Sequence, residues 1–126
     1  MRKEDLLTIA VANYIRLQYP NVEFHHNANE RNSSNIEGAK LKKMGVRRGI
    51  SDITIYQPTN VHHGLFLELK IDTPFKKDGN LKAGELLALQ YEFINKMNQR
   101  GYLAKFCVGF DEAKTTIDNY MDFLQL

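Results

Sequence analysis

A chain of 126 residues and 14.6 kDa falls near the commonest domain size, so a single domain with one core, spanning 1–126, is expected. Hydrophobic residues at 43% and charged residues at 25% are ordinary for a globular protein and exclude disordered, collagenous and coiled-coil readings. No apolar run reaches the roughly 18 to 20 residues that span a bilayer. The net charge of +2 and pI of about 8.6 are too mild to imply a nucleic-acid partner by themselves.

The opening Met1-Arg2-Lys3-Glu4-Asp5-Leu6 sets acids against a short apolar stretch with no small-residue cleavage site. No signal peptide is expected there, and the chain reads as intracellular and cytoplasmic. Leu7, Val11, Tyr14 and Ile15 then repeat at helical spacing, which predicts an amphipathic helix over 3–18 that Pro20 stops. Val22 to His26 reads as a short strand, the Asn- and Ser-rich 27–35 as a loop, and 36–44 as a short helix ended by Gly45. The β-rich run 52–56 and the nearly all-apolar run 64–71, separated by Gln57-Pro58-Thr59-Asn60, predict a hairpin whose second strand is buried on both faces. A polar loop leads to a long helix over 83–99 closed by Gly101, then an apolar strand over 102–108 and a last helix from Asp111, a good N-cap, to 124. The order is α-β-α-β-β-α-β-α, an α/β chain. The lone Cys107 can make no internal disulfide and, in its apolar strand, is expected to be buried and inert.

Several polar residues fall where the periodicities call for apolar ones. Strand alternation puts Asp52, Thr54 and Tyr56 on one face and Ile53 and Ile55 on the other; it likewise separates Phe66, Glu68 and Lys70 from Leu65, Leu67 and Leu69. A Glu and a Lys pointing the same way inside an apolar strand either form a partly buried ion pair or serve a ligand. If Asp52 neighbours Glu68, two like charges crowd together, which is unfavourable without a cation between them. Gln90 lies in the middle of the face formed by Leu86, Leu87, Phe93, Ile94 and Met97, where an amide needs partners, either backbone or a site. Glu4 shares the stripe of Leu7, Val11 and Ile15, although an acid in a first helical turn is also favoured by the macrodipole alone. Charge is unevenly spread: Arg31, Lys40, Lys42, Lys43, Arg47 and Arg48, six of the 17 basic residues, are opposed locally only by Glu37. His25-His26 and His62-His63 have no third ligand at zinc spacing.

Asp52 followed by Glu68-Leu69-Lys70 resembles the active-site set of the PD-(D/E)XK nucleases. Within that superfamily the chain from Glu4 to Tyr120 resembles the VRR-NUC domain family of small stand-alone phage and bacterial proteins. Glu4, the run from His25 to Glu30, Gly45 to Asp52, Glu68-Leu69-Lys70, Gln90 and Gly101-Tyr102 carry the likeness. Ser51 stands where the superfamily name has proline.

The resemblance implies a restriction-endonuclease-like mixed central sheet flanked by helices, and Mg²⁺- or Mn²⁺-dependent hydrolysis of DNA. Asp52, Glu68 and the Leu69 backbone carbonyl would hold the cation, Glu4 a second or outer-shell one. Lys70 would orient or help deprotonate the attacking water, and Gln90 would position Lys70, the water or the phosphate. Arg31, Lys40, Lys42, Lys43, Arg47 and Arg48, joined by Lys76 and Lys77, would track backbone phosphates, giving structure preference rather than base specificity. A homodimer acting on branched DNA such as four-way junctions follows from the family, in a bacterial or phage-infected cell. The alternatives are a flap or single-strand nuclease working with a replication or recombination partner, and a silent DNA-binding module. The latter predicts loss of Asp52, Glu68 or Lys70, and all three are present.

Overall fold

The computed structural model describes residues 1–28 and 35–122. Among these residues the elements run α1 (Lys3–Gln18), β1 (Phe24–His26), α2 (Asn35–Lys43), β2 (Ile53–Ile55), β3 (Leu65–Lys70), α3 (Glu85–Gln99), β4 (Leu103–Val108) and α4 (Gly109–Asp122), the order the sequence predicts. Boundaries move where the backbone finds other partners. The first strand loses Val22, whose N–H bonds the Tyr19 carbonyl in the turn after α1. The last helix starts two residues early, because Gly109 at φ +83° turns β4 directly into α4. Asp111 therefore sits in the first turn of α4, where its charge suits the helix dipole, and does not cap it.

The strands form one mixed sheet in the order β1-β2-β3-β4, antiparallel across β1–β2–β3 and parallel between β3 and β4. The parallel pair needs a crossover, and α3 supplies it. One face of the sheet carries Ile53, Ile55, Leu65, Leu67 and Leu69, closed by Leu7, Val11 and Ile15 of α1 and Ile117 and Tyr120 of α4. On the other face α3 sets Ile94 over Ala104 and Phe106, with Phe66 packed at the margin. Leu86, expected on the buried stripe of this helix, is 43% exposed instead, because α3 packs on β4 and its first turn overhangs the sheet. The β1–β2 half of this face is open at His25 and Tyr56, which are exposed, although Thr54 beside them is buried. Cys107 lies fully buried among apolar neighbours, and burial pushes its thiol pKa up. Among the described residues no helix is long and apolar enough to cross a membrane.

Candidate active site

Ile53 pairs with Leu67, so one residue beyond the end of β2 the register brings Asp52 opposite Glu68. Asp52 is half-buried, and its Oδ2 accepts the Leu69 N–H at 2.7 Å, which ties the carboxylate to the backbone of β3. Glu68 is only 3% exposed, and its Oε1 has no hydrogen-bond partner. Burial first, then a hydrogen bond to Asp52 and the charge of Asp52, raise the Glu68 pKa well above the ordinary carboxylate range; Lys70 offsets part of this. In the absence of a cation, burial and the neighbouring Asp52 therefore favour the protonated form of Glu68.

Lys70 leaves β3 on the same face. Its Nζ donates to Gln90 Oε1 at 2.7 Å and stands 5.8 Å from the centre of the Phe106 ring. The 9%-exposed Gln90 amide thus finds a side-chain partner across the sheet–helix gap rather than a backbone one. The charged and polar residues that disturbed the apolar pattern, Asp52, Glu68, Lys70 and Gln90, form one connected set.

Two supports of this set were not legible as such in the sequence. The end of β1 clamps the residues around Asp52: the Asp52 carbonyl accepts from the Asn27 N–H and from His26 Nδ1, both at 2.8 Å, while Asn27 Nδ2 donates to the Ser51 carbonyl at 2.9 Å and to Thr54 Oγ1 at 3.0 Å. A carbonyl only accepts, so His26 carries its proton on Nδ1. An asparagine directly after a strand was the available signal, but its partners lie 24 to 27 residues away. The second support is Gly49. At φ +90° it passes so close to α3 that a Cβ there would meet Leu89 Cβ at 2.9 Å and the Leu89 backbone carbon at 3.0 Å. That close approach fixes the path into Asp52 against the residue before Gln90.

A cavity of about 400 Å³ opens beside Asp52 and Gln90, lined also by Asn27, Gly49, Leu86 and the guanidinium-bearing Arg2, Arg47 and Arg48. Arg48 meets Glu85 at 3.7 Å in an exposed ion pair. Lys40, Lys42 and Lys43 are exposed on α2, and Lys76 and Lys77 are exposed on the loop closed by the Phe75–Leu81 bridge; of these, none lines the cavity. Arg31 lies outside the described residues. Glu4 is exposed and faces Arg2 at 3.8 Å. Among the described residues no cluster of three or more His, Cys, Asp or Glu side chains forms, so Glu4 does not join Asp52 and Glu68 in an acidic triad here. Two carboxylates, one with an orphaned buried oxygen, still fit a hard divalent ion, because Mg²⁺ is commonly held by one or two carboxylates and completes its shell with water and substrate phosphate.

Across 98% of its length the chain matches a solved structure described as a VRR_NUC domain protein, with a TM-score of 0.69, 24% sequence identity and 91% of that chain covered. The chain has the VRR_NUC fold. Its mixed sheet flanked by helices is the restriction-endonuclease-like arrangement that the resemblance implies. No protein-family model and no curated protein matches the sequence. Within the VRR_NUC fold of this chain, the connected polar set sits where β3 runs on past the start of β2, at the edge of the open half of the sheet.

Proposed function

We propose that the chain, as one domain over 1–126, is a Mg²⁺- or Mn²⁺-dependent deoxyribonuclease selective for branched DNA, acting inside the cell as a homodimer. The observation that supports this reading most is Glu68: a carboxyl group buried in a sheet, lacking a partner for one oxygen, crowded by a second carboxylate and flanked by a lysine. Such a site is costly for folding alone and makes sense around a divalent ion.

Asp52 and Glu68 would hold the ion, with the Leu69 carbonyl as a further oxygen donor on the strand whose N–H already binds Asp52. When bound, the cation neutralises the scissile phosphate and makes a nearby water more acidic. Lys70, held in place by Gln90, hydrogen-bonds the attacking water and faces the charge that grows on the phosphoryl oxygens. The water oxygen bonds to phosphorus as the phosphorus–oxygen bond to the departing sugar breaks, its proton passing to solvent while the departing sugar oxygen takes one from solvent. Arg47 and Arg48 on the cavity wall take the flanking phosphates, with Lys40, Lys42, Lys43, Lys76 and Lys77 extending the track beyond it. A two-fold dimer suits a four-way junction, because two related sites then meet two related strands.

The reading is tested with end-labelled four-way junction, flap, single-stranded and duplex DNA, incubated with Mg²⁺, Mn²⁺ or EDTA. Metal-dependent cutting with paired symmetric nicks on the junction is expected. Cutting confined to flaps or single strands would select the partner-assisted alternative, and binding without cutting under either metal would leave a silent DNA-binding module.

A further inference from the structure

The open half of the sheet carries an aromatic pair that neither the core nor the polar set uses. His25 and Tyr56 stack with ring centres 5.5 Å apart and planes 7° from parallel. Tyr56 is 55% exposed and His25 is exposed as well. A hydrogen bond of 3.0 Å between the Tyr56 hydroxyl and His25 Nδ1 fixes both rings relative to one another. A phenol and an imidazole held flat against each other in solvent gain little from burial, so the fold alone does not account for them.

Their position is set by register. His25 pairs with Thr54, and Thr54 lies midway between Asp52 and Tyr56 on one face of β2 and its ends. Side chains on one face recur about every 7 Å along a strand, so His25, opposite Thr54, lies about one such step along from Asp52 and Tyr56 about two. Across the sheet the same row continues to Phe66, which Phe93 of α3 meets edge-on and leaves only partly exposed. The exposed part of the row is therefore His25 and Tyr56, on β1, the edge strand, and at the end of β2.

We propose that His25 and Tyr56 form a stacking platform for an unpaired nucleobase, so that the protein recognises DNA in which a base near the cut phosphate is splayed out of the duplex. The inference rests on the nuclease reading and sharpens its substrate. Aromatic faces bind any base through its π-surface, whereas bases stacked inside a continuous duplex offer none. The Arg47–Arg48 wall holds phosphates of either form, so the platform is what separates them.

The test uses the full chain in EDTA, where binding is read without cleavage. The probes are a single-stranded oligonucleotide carrying one 2-aminopurine and a blunt duplex of the same sequence. Expected are quenching of the 2-aminopurine on binding, an affinity for the single strand that falls on the order of tenfold in Tyr56→Ala, and an unchanged affinity for the duplex. Tyr56→Phe, which keeps the ring and loses the hydroxyl, should stay within about twofold of wild type on this π-face argument. Melting temperatures within error of wild type verify that the variants fold. An unchanged single-strand affinity in Tyr56→Ala, or an equal loss on both DNAs, overturns the platform. If the same protein cuts DNA with Mg²⁺ or Mn²⁺, the nuclease reading survives that result. If wild type binds neither DNA, the platform falls, and metal-dependent cutting of junction DNA decides the nuclease reading separately.

Discussion

Glu68 contradicts its surroundings more than any other residue of the candidate site. The pattern of its strand demands an apolar side chain, and the structure leaves one of its oxygens without a partner at 3% exposure. Its raised pKa carries a stability prediction whose sign is fixed by linkage. The folded, metal-free protein keeps a proton that the unfolded chain releases above pH about 4.5, so stability falls as pH rises beyond that point. Saturating Mn²⁺ should reverse the trend, raising the melting temperature more at pH 8 than at pH 6, since metal must displace the proton. Glu68→Gln is expected to flatten the pH dependence and to abolish the metal effect; thermal melts across pH decide both. Gln90 makes a second prediction at this scale. Gln90→Ala removes the acceptor of Lys70 Nζ, and single-turnover cleavage should slow on the order of 10²-fold through misplacement of the lysine. These residues were legible in sequence because each broke a periodicity. Asn27 was not, since a loop asparagine breaks no pattern and its partners Ser51 and Thr54 are joined to it only by the β1–β2 pairing.

Secondary-structure elements place the site through a few close approaches. Gly49 presses on the Leu89 backbone with a positive φ, so Gly49→Ala meets both a clash and a strained dihedral. It should cost about 2 kcal/mol or more in chemical denaturation, with cleavage reduced beyond the loss of folded protein. On the far side of the sheet, Asp118 of α4 accepts from Tyr14 OH at 2.5 Å, from Tyr19 OH at 2.7 Å and from Lys114 at 3.0 Å, which binds α4 to α1 and the turn after it. Burial pulls the Asp118 pKa up, but these hydrogen bonds outweigh it and hold the group below its ordinary value. Asp118→Ala is expected to lose about 1–3 kcal/mol of stability while leaving cleavage per folded molecule unchanged. Element order was readable from apolar periodicity and from Pro20, Gly45 and Gly101, whereas strand lengths were not. Three-residue β1 and β2 owe their limits to pairing with one another, a non-local fact that composition does not carry.

At the scale of the whole molecule, a net charge of +2 conceals a basic wall beside the carboxylates and an acidic last helix. Asp111, Glu112, Asp118 and Asp122 all fall on α4, which packs against the face opposite the polar set. On the proposed nuclease reading, this asymmetry would steer nucleic acid to the side that holds Arg47 and Arg48. Replacing both arginines with alanine should weaken DNA binding and reduce the slope of log affinity against log salt by about 0.9 for each phosphate no longer neutralised. Fluorescence titrations between low and physiological salt measure it, and an unchanged slope would remove the arginines from the interface. The central claim, metal-dependent hydrolysis at the Asp52–Glu68–Lys70 site, is tested most directly by single-turnover cleavage of end-labelled junction DNA in Mg²⁺ or Mn²⁺ by wild type and Lys70→Ala, with DNA binding and melting temperature measured alongside. The account predicts metal-dependent cutting by wild type and a loss of at least about 10²-fold in the variant, which still folds and binds. Equal cutting by both proteins, or cutting that persists in EDTA, would contradict it.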